Sequence, residues 1–292
     1  MTSANKFASI VSLCFFLLLH CGVPSAAPLS GKEIPHTFAV IPFYSPDKIW
    51  TLYSPLIDYL TKTTGEPWQL QLYNNHEEVI AGICSGRISA ALMGPVPLGR
   101  AMNNCATRPL LVSLGKDGKP FYHSVMLTND TSVKTPAGLK GKKVGFFKGS
   151  TAAHITPAKM LKDAGLDMTA IEPVFLESQD RIISALLSGE IDAAGVKEVL
   201  ARKFTKGGLH ILATSPVLPN FAICTTPTLP ATARKKLLAA LRSLKPSKNV
   251  RDAEIMSTWD DEIKNGFLPP DKEFIPSVKK IYRIYQGIMH EN

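Results

Sequence analysis

The chain has 292 residues, 45% hydrophobic and 20% charged, which is enough to bury one large core or two modest ones. Twenty-two Pro and 20 Gly without a short period exclude collagen-like and coiled-coil sequence, and five Cys are too few for a disulfide-built scaffold. A formal charge of +9 points to an anionic partner without naming one.

Residues 1–27 read as a secretory signal. Lys6 supplies a short basic start, Phe7 to Leu19 is apolar, and Pro24 precedes the small residues Ser25, Ala26 and Ala27. Leu18-Leu19-His20-Cys21 is a poor lipoprotein box because His20 precedes the Cys, so lipid anchoring at Cys21 is not expected. Removing the segment takes away Lys6 and no acid, and lowers the formal charge from +9 to +8. It also leaves three cysteines, Cys84, Cys105 and Cys224. Cys84 and Cys105 either bridge, as an oxidising compartment allows, or stay buried thiols.

The mature chain echoes itself. Glu77 to Leu92 (EEVIAGICSGRISAAL) and Asp180 to Gly195 (DRIISALLSGEIDAAG) share six of sixteen residues without a gap. Each reads as an amphipathic helix ending at Ser-Gly, then an Ala-rich strand. Upstream, Phe38 to Phe43 and Val144 to Phe147 are apolar strands, each followed by a helix. Both halves therefore read strand, helix, strand, helix, strand, which predicts an α/β fold of two Rossmann-like lobes with parallel sheets and a cleft between them. Crossings are expected near Gly115 to Met126 and Leu212 to Ile223. The predicted division is 33–122 with 218–292 for a discontinuous first lobe and 123–217 for the second. Leu229 to Asn292 carries helical pattern and no strand signal.

Enzyme signatures are absent: there is no HExxH, GxSxG, P-loop or GxGxxG, and no metal-ligand spacing among the seven His. No cofactor, metal or catalytic residue is proposed. The informative element is Lys148-Gly149-Ser150-Thr151-Ala152-Ala153-His154, which follows a strand and opens a helix. Hydroxyls, free amides and the helix dipole there suit a compact oxyanion, although Ser150 as an ordinary N-cap is the alternative. His76 and Gln179 hold equivalent places before the repeated helices, either facing the same cleft or capping. Tyr122 lies on the first crossing, where its hydroxyl reaches a ligand or its ring packs between the lobes. The basic residues form no dense, aromatic-interleaved cluster, so no nucleic-acid surface is expected.

These residues together resemble the phosphate/phosphite/phosphonate-binding proteins of ABC importers, a family with a type II periplasmic-binding fold. The resemblance runs from about Phe38 to about Phe267. It rests on Tyr53 to Leu60, Met93-Gly94-Pro95, Pro120 to Met126, Gly149-Ser150-Thr151 and Ser188 to Ala194. It implies two lobes joined by two hinge strands. Ser150 and Thr151 match the first two hydroxyls of the family's oxyanion run, and Ala152 stands where a third is usual. Tyr122 matches a hinge tyrosine, His76 replaces a tyrosine and Gln179 replaces a histidine. Two acids hold the ligand ammonium in members that take aminophosphonates. They fall near Glu198, beside Lys197, and on Asn220, so a compact anion is the better expectation.

The resemblance thus implies a monomeric periplasmic solute-binding protein for phosphate, phosphite or a small phosphonate. Its partner would be an inner-membrane ABC permease. The alternative partner is a membrane sensor kinase, with a non-phosphorus ligand. Pyrimidine-precursor synthases share the fold, but the signal segment and the lack of a catalytic constellation argue against an enzyme. A charged His76 on the anion would make binding weaken as pH rises past its titration.

Overall fold

The computed structural model describes residues 34–290; the signal segment expected at 1–27 lies outside the described residues. In chain order the elements begin with β1 (His36–Val40), α1 (Pro46–Thr64), β2 (Trp68–Gln71), α2 (His76–Ser85), β3 (Ala90–Met93), α3 (Pro95–Asn104) and β4 (Arg108–Ser113). Then come β5 (Phe121–Tyr122), β6 (Ser124–Thr128), β7 (Lys143–Phe146), α4 (Thr156–Asp163), β8 (Glu172–Phe175), α5 (Gln179–Ser188) and β9 (Ala193–Lys197). The chain closes with α6 (Glu198–Phe204), β10 (His210–Thr214), β11 (Leu218–Pro219), β12 (Ala222–Thr225), α7 (Ala231–Ser243), α8 (Val250–Met256), β13 (Phe267–Leu268) and α9 (Phe274–His290).

Two sheets organise these elements. The first runs β13-β4-β12-β3-β1-β2 and the second β10-β6-β9-β7-β8. Within each, the repeated strand-helix-strand units are parallel: β1 with β2 and β3, and β7 with β8 and β9. The sheets are nonetheless mixed rather than parallel throughout. β12, β4 and β13 join the first sheet antiparallel, and β6 and β10 join the second the same way. The chain crosses between sheets at β5 and β11, which pair antiparallel, Leu218 opposite Tyr122. The strands that enter from the crossings are the reversed ones: β12 runs against β3 and β4, and β6 against β9 and β10, which the βαβ pattern alone does not reveal. β13 is a further departure, because no strand was expected beyond Leu229. It is two residues long and lacks an alternating signal.

The repeated helices stop as expected. Gly86 and Gly189 adopt φ of 81° and 75°, a left-handed conformation that glycine takes at little cost. Their starts are capped by Asn75, which accepts from the Glu78 amide, and Ser178, which accepts from the Arg181 amide. His76 and Gln179 are therefore the first helical residues and not the caps. Cys84 of α2 and Cys105 at the end of α3 form a disulfide across 21 residues of sequence. A loop of that size is worth about 3 kcal/mol in the chain-entropy picture. Cys224, the free cysteine among the described residues, is buried on β12, and burial pushes its thiol up.

Candidate functional site

The strand-to-helix turn after β7 fixes the site. Gly149, at φ 75°, reverses the chain, and its amide donates to His154 Nδ1 at 3.1 Å. Ser150 then caps the helix, accepting from the Ala153 amide at 3.1 Å. The first turn, Thr151–Ile155, is wound wide: the Ile155 amide donates to the Ser150 carbonyl, five residues back. In a first turn the leading amides have no intrahelical acceptor, so those of Thr151 and Ala152 remain free for a ligand. Gly195 on β9 makes room for this turn. A Cβ there would lie 2.9 Å from the Ala152 carbonyl and closer still to Pro157.

Around the turn the two sheets meet. His76, Ser150, Thr151, Ala152 and Gln179 line one small cavity with Phe43 and Phe221. Its volume is about 10 Å³, the room of a single water. Thr151 Oγ1 accepts from the Val96 amide at 2.9 Å, and the Gln179 amide donates to the Phe43 carbonyl at 3.1 Å. Both bonds span from one sheet's elements to the other's. The Gln179 side-chain oxygen accepts from the Lys197 amide at 3.1 Å, which leaves its NH₂ group as the free end. The Tyr122 hydroxyl is buried beside Thr151 without a well-formed hydrogen bond.

His76 is the most telling of these. Both ring nitrogens are buried beside the Pro42 and Gly149 backbone without a well-formed hydrogen bond, and the ring stands edge-on to Phe147 at 4.9 Å. Buried polar atoms are normally paired, so unpaired ones in a cavity wall suit a ligand. Burial pushes the His76 imidazole down to about 4, with Arg100 adding to the effect and Glu77 opposing it. The sequence left the charge of His76 open; its burial favours the neutral ring, because desolvation disfavours the imidazolium. A neutral imidazole offers one donor and one acceptor, which suits an oxyanion that still carries a proton.

His154, behind the turn, is likewise pushed down to about 4, by burial and then by Lys148. The sign follows from linkage. Both histidines titrate lower folded than unfolded, so their stabilisation is complete above about pH 6.5 and fades toward about pH 4. Between pH 6.5 and 5 each loses about 2 kcal/mol at roughly 1.4 kcal/mol per pH unit. Asp260, pushed up to about 6 by burial and by Glu262, opposes this with about 1 kcal/mol by pH 5. Urea unfolding is expected to show a net loss of about 2–3 kcal/mol at pH 5 relative to pH 7. The variant His154→Asn, whose Oδ1 replaces Nδ1 as acceptor for Gly149, should lose only about a quarter to a third as much to acid, because the Asp260 offset remains. An unchanged acid dependence would contradict the assignment.

Two predicted contacts, Glu198 and Asn220, line not this small cavity but the adjacent cleft, together with Tyr122, Lys197 and Glu262. Glu198 is only half-buried: its carboxylate accepts from Arg202 at 2.9 Å and is 3.4 Å from the His123 amide. Its neighbour Lys197 ends the wholly buried strand β9, whereas Glu198 opens α6. Asn220 is buried, but protein groups take its whole side chain. Nδ2 donates to the Ser113 carbonyl at 3.1 Å, while Oδ1 accepts from Lys197 Nζ at 2.7 Å and the Phe221 amide at 2.9 Å. Sequence reasoning missed Lys197 and Glu262 as members of the site. Lys197 Nζ pairs with the Glu262 carboxylate and lies over the Tyr122 and Phe221 rings at 4.2 and 4.3 Å. Burial holds Lys197 below the ordinary lysine range, while Glu262 favours its charge. The one signal for it was a lysine ending an otherwise apolar strand.

Residues 38–273 match a family described as the periplasmic phosphonate substrate-binding proteins of ABC transporters. The chain belongs to that family. Its members bind substrate outside the inner membrane and hand it to a permease. Among curated relatives, it is 27% identical over 215 residues to the phosphate-import protein PhnD of Mycolicibacterium smegmatis, covering 68% of this chain and 67% of that protein. Two solved structures have the same fold. One is a binding-protein component of an ABC phosphonate transporter from Pseudomonas aeruginosa, with TM-score 0.77, 15% identity and 88% of each chain covered. The other is PhnD1 from Prochlorococcus marinus in complex with methylphosphonate, with TM-score 0.75, 16% identity and 87% of this chain and 98% of that one covered. The fold is thus the type II periplasmic-binding architecture. Among the described residues, no helix of this binding protein is long and apolar enough to cross a membrane.

Proposed function

We propose that this binding protein captures a small phosphorus oxyanion (phosphate, phosphite or a small phosphonate) at the turn after β7. The observation that carries the reading is the convergence on one cavity of a helix start and the buried His76 side chain, with the buried Tyr122 hydroxyl beside Thr151. Thr151 and the amides of Thr151 and Ala152 hold the anion, with Ser150 fixing the turn. His76 and Tyr122 contribute buried polar atoms that lack well-formed protein hydrogen bonds, and Gln179 its NH₂ group. The relative named for phosphate import and the fold relative holding methylphosphonate are consistent with this class.

The 10 Å³ cavity is far smaller than a phosphate, so admission requires the two sheets to part. The crossings at β5 and β11 are the natural hinge, with lobes of 33–122 plus 218–292 and of 123–217. Closing re-forms the Val96–Thr151 and Phe43–Gln179 bonds around the captured anion. The protein is exported through its 1–27 segment and works as a periplasmic monomer with no catalytic step.

Isothermal titration calorimetry at pH 7 on unfolded and refolded protein tests the reading. Phosphate, phosphite and methylphosphonate are expected to bind at micromolar Kd or tighter, about 8 kcal/mol. Sulfate should bind more weakly, because it has no proton for the neutral His76 ring. Binding of none of the phosphorus oxyanions, or tighter binding of sulfate, would overturn the proposal.

A further inference from the structure

Beside the oxyanion cavity lies a second arrangement whose chemistry is that of a cation site. Lys197 Nζ is enclosed by four groups: the Glu262 carboxylate, the Asn220 Oδ1 at 2.7 Å, and the faces of Tyr122 and Phe221 at 4.2 and 4.3 Å. Carboxylate, amide oxygen and two aromatic faces are the set by which proteins hold a small ammonium ion. All four are buried, and so is Lys197.

Other charged groups frame this enclosure. Asp260, two residues before Glu262, accepts from the Glu262 amide at 3.0 Å and from the Tyr53 hydroxyl at 3.2 Å. Asp261 is drawn outward by Lys203 and Lys264, and Glu198 by Arg202. Lys197 is therefore the cation directed into the enclosure.

The two sites are contiguous. Phe221 lines the oxyanion cavity with one part of its ring and meets Lys197 with its face. Tyr122 brings its hydroxyl beside Thr151 and its face to Lys197. The Lys197 amide holds the Gln179 side chain in the cavity wall. A ligand with an oxyanion at one end and an ammonium at the other would need both sites at once.

We infer that the Lys197 ammonium is a built-in substitute for a ligand's ammonium, so that this chain excludes aminoalkyl phosphonates and accepts only the compact oxyanion. The inference rests on the proposed oxyanion site for its ligand class, but the cation enclosure stands on its own contacts. Lys197 is then the specificity-determining residue, and Glu262 and Asn220 are held ready for a cation that the protein itself supplies. Shortening Lys197 should uncover the enclosure and change what the protein binds.

Two variants separate charge from space. Lys197→Ala removes the ammonium and empties the enclosure. Lys197→Met removes the charge but keeps it filled. Wild-type protein is expected to bind methylphosphonate at least about tenfold tighter than 2-aminoethylphosphonate, and Lys197→Ala to gain at least about tenfold for the amino ligand, within the range of a desolvated cation–π and carboxylate contact. Lys197→Met should gain nothing. Methylammonium chloride should raise the melting temperature of Lys197→Ala more than sodium chloride at equal ionic strength, and should not do so for wild type or Lys197→Met. A purely structural ion pair would give no such rescue.

Comparable wild-type affinities for the two phosphonates would overturn the inference whatever the variants do. So would a folded Lys197→Ala that gains neither amino-ligand affinity nor methylammonium stabilisation. If Lys197→Ala folds poorly, refolding in methylammonium but not in sodium supports the enclosure, and refolding in neither counts against it. If wild type binds no phosphorus oxyanion, the functional proposal fails, while the methylammonium comparison still decides the enclosure.

Discussion

Glu262→Leu is expected to lower the unfolding free energy by about 3–5 kcal/mol, because it strands the buried Lys197 charge without its carboxylate. Glu262 and Lys197 are both almost fully buried, and 65 residues of sequence separate them. Both border the cleft lined by Tyr122 and Arg202, yet almost none of either side chain reaches water. The double variant Lys197→Met/Glu262→Leu should recover most of the loss, since removing both charges leaves none to solvate. Urea unfolding of the wild type, both singles and the double measures the coupling. Additive losses would mean that the pair does not act as a unit. Asp260 offers a second readout. The Glu262 charge helps to push it up to about 6, so its titration should move toward the ordinary carboxylate range in Glu262→Leu.

The repeated helices were legible because their pattern is local. An amphipathic stretch, a Ser-Gly stop and an Ala-rich strand follow one another within sixteen residues, twice. The oxyanion turn was legible for the same reason: glycine, two hydroxyls and a helix start are adjacent in sequence. The enclosure around Lys197 was not, because it gathers Tyr122, Lys197, Asn220 and Glu262 from four separate segments. No periodicity records such a meeting. Glu198 was the nearer match in residue type to a family acid, but it opens α6, while Lys197 ends the buried strand β9. The antiparallel strands followed from crossings whose existence was legible and whose direction was not. The wide first turn at Thr151–Ile155 had no signal, since it comes from seating the helix against Gly195. The charge state of His76 also escaped sequence reasoning, because it depends on burial.

Thr151→Val should weaken oxyanion binding about 10- to 100-fold, the cost of one hydrogen bond to a charged ligand. Thr151 Oγ1 already accepts from the Val96 amide at 2.9 Å, so its own proton is free to donate to the anion. Valine keeps the shape but also leaves the Val96 amide unpaired, which disfavours closure. Thr151→Ser restores both bonds and should recover most of the affinity. Calorimetry on the three proteins reads the difference. Equal affinity in wild type and Thr151→Val would remove Thr151 from the binding shell, and equal weakness in the valine and serine variants would point to lost packing instead.

The most direct test of the central claim is a crystal structure of the protein grown with methylphosphonate. Phosphonate oxygens are expected within about 3 Å of Thr151 Oγ1 and the amides of Thr151 and Ala152, with His76 and Tyr122 completing the contacts. The Lys197 ammonium should still be seated between Tyr122 and Phe221. A ligand bound elsewhere, such as the cleft beside Lys116, Lys245 and Lys248, would contradict the account.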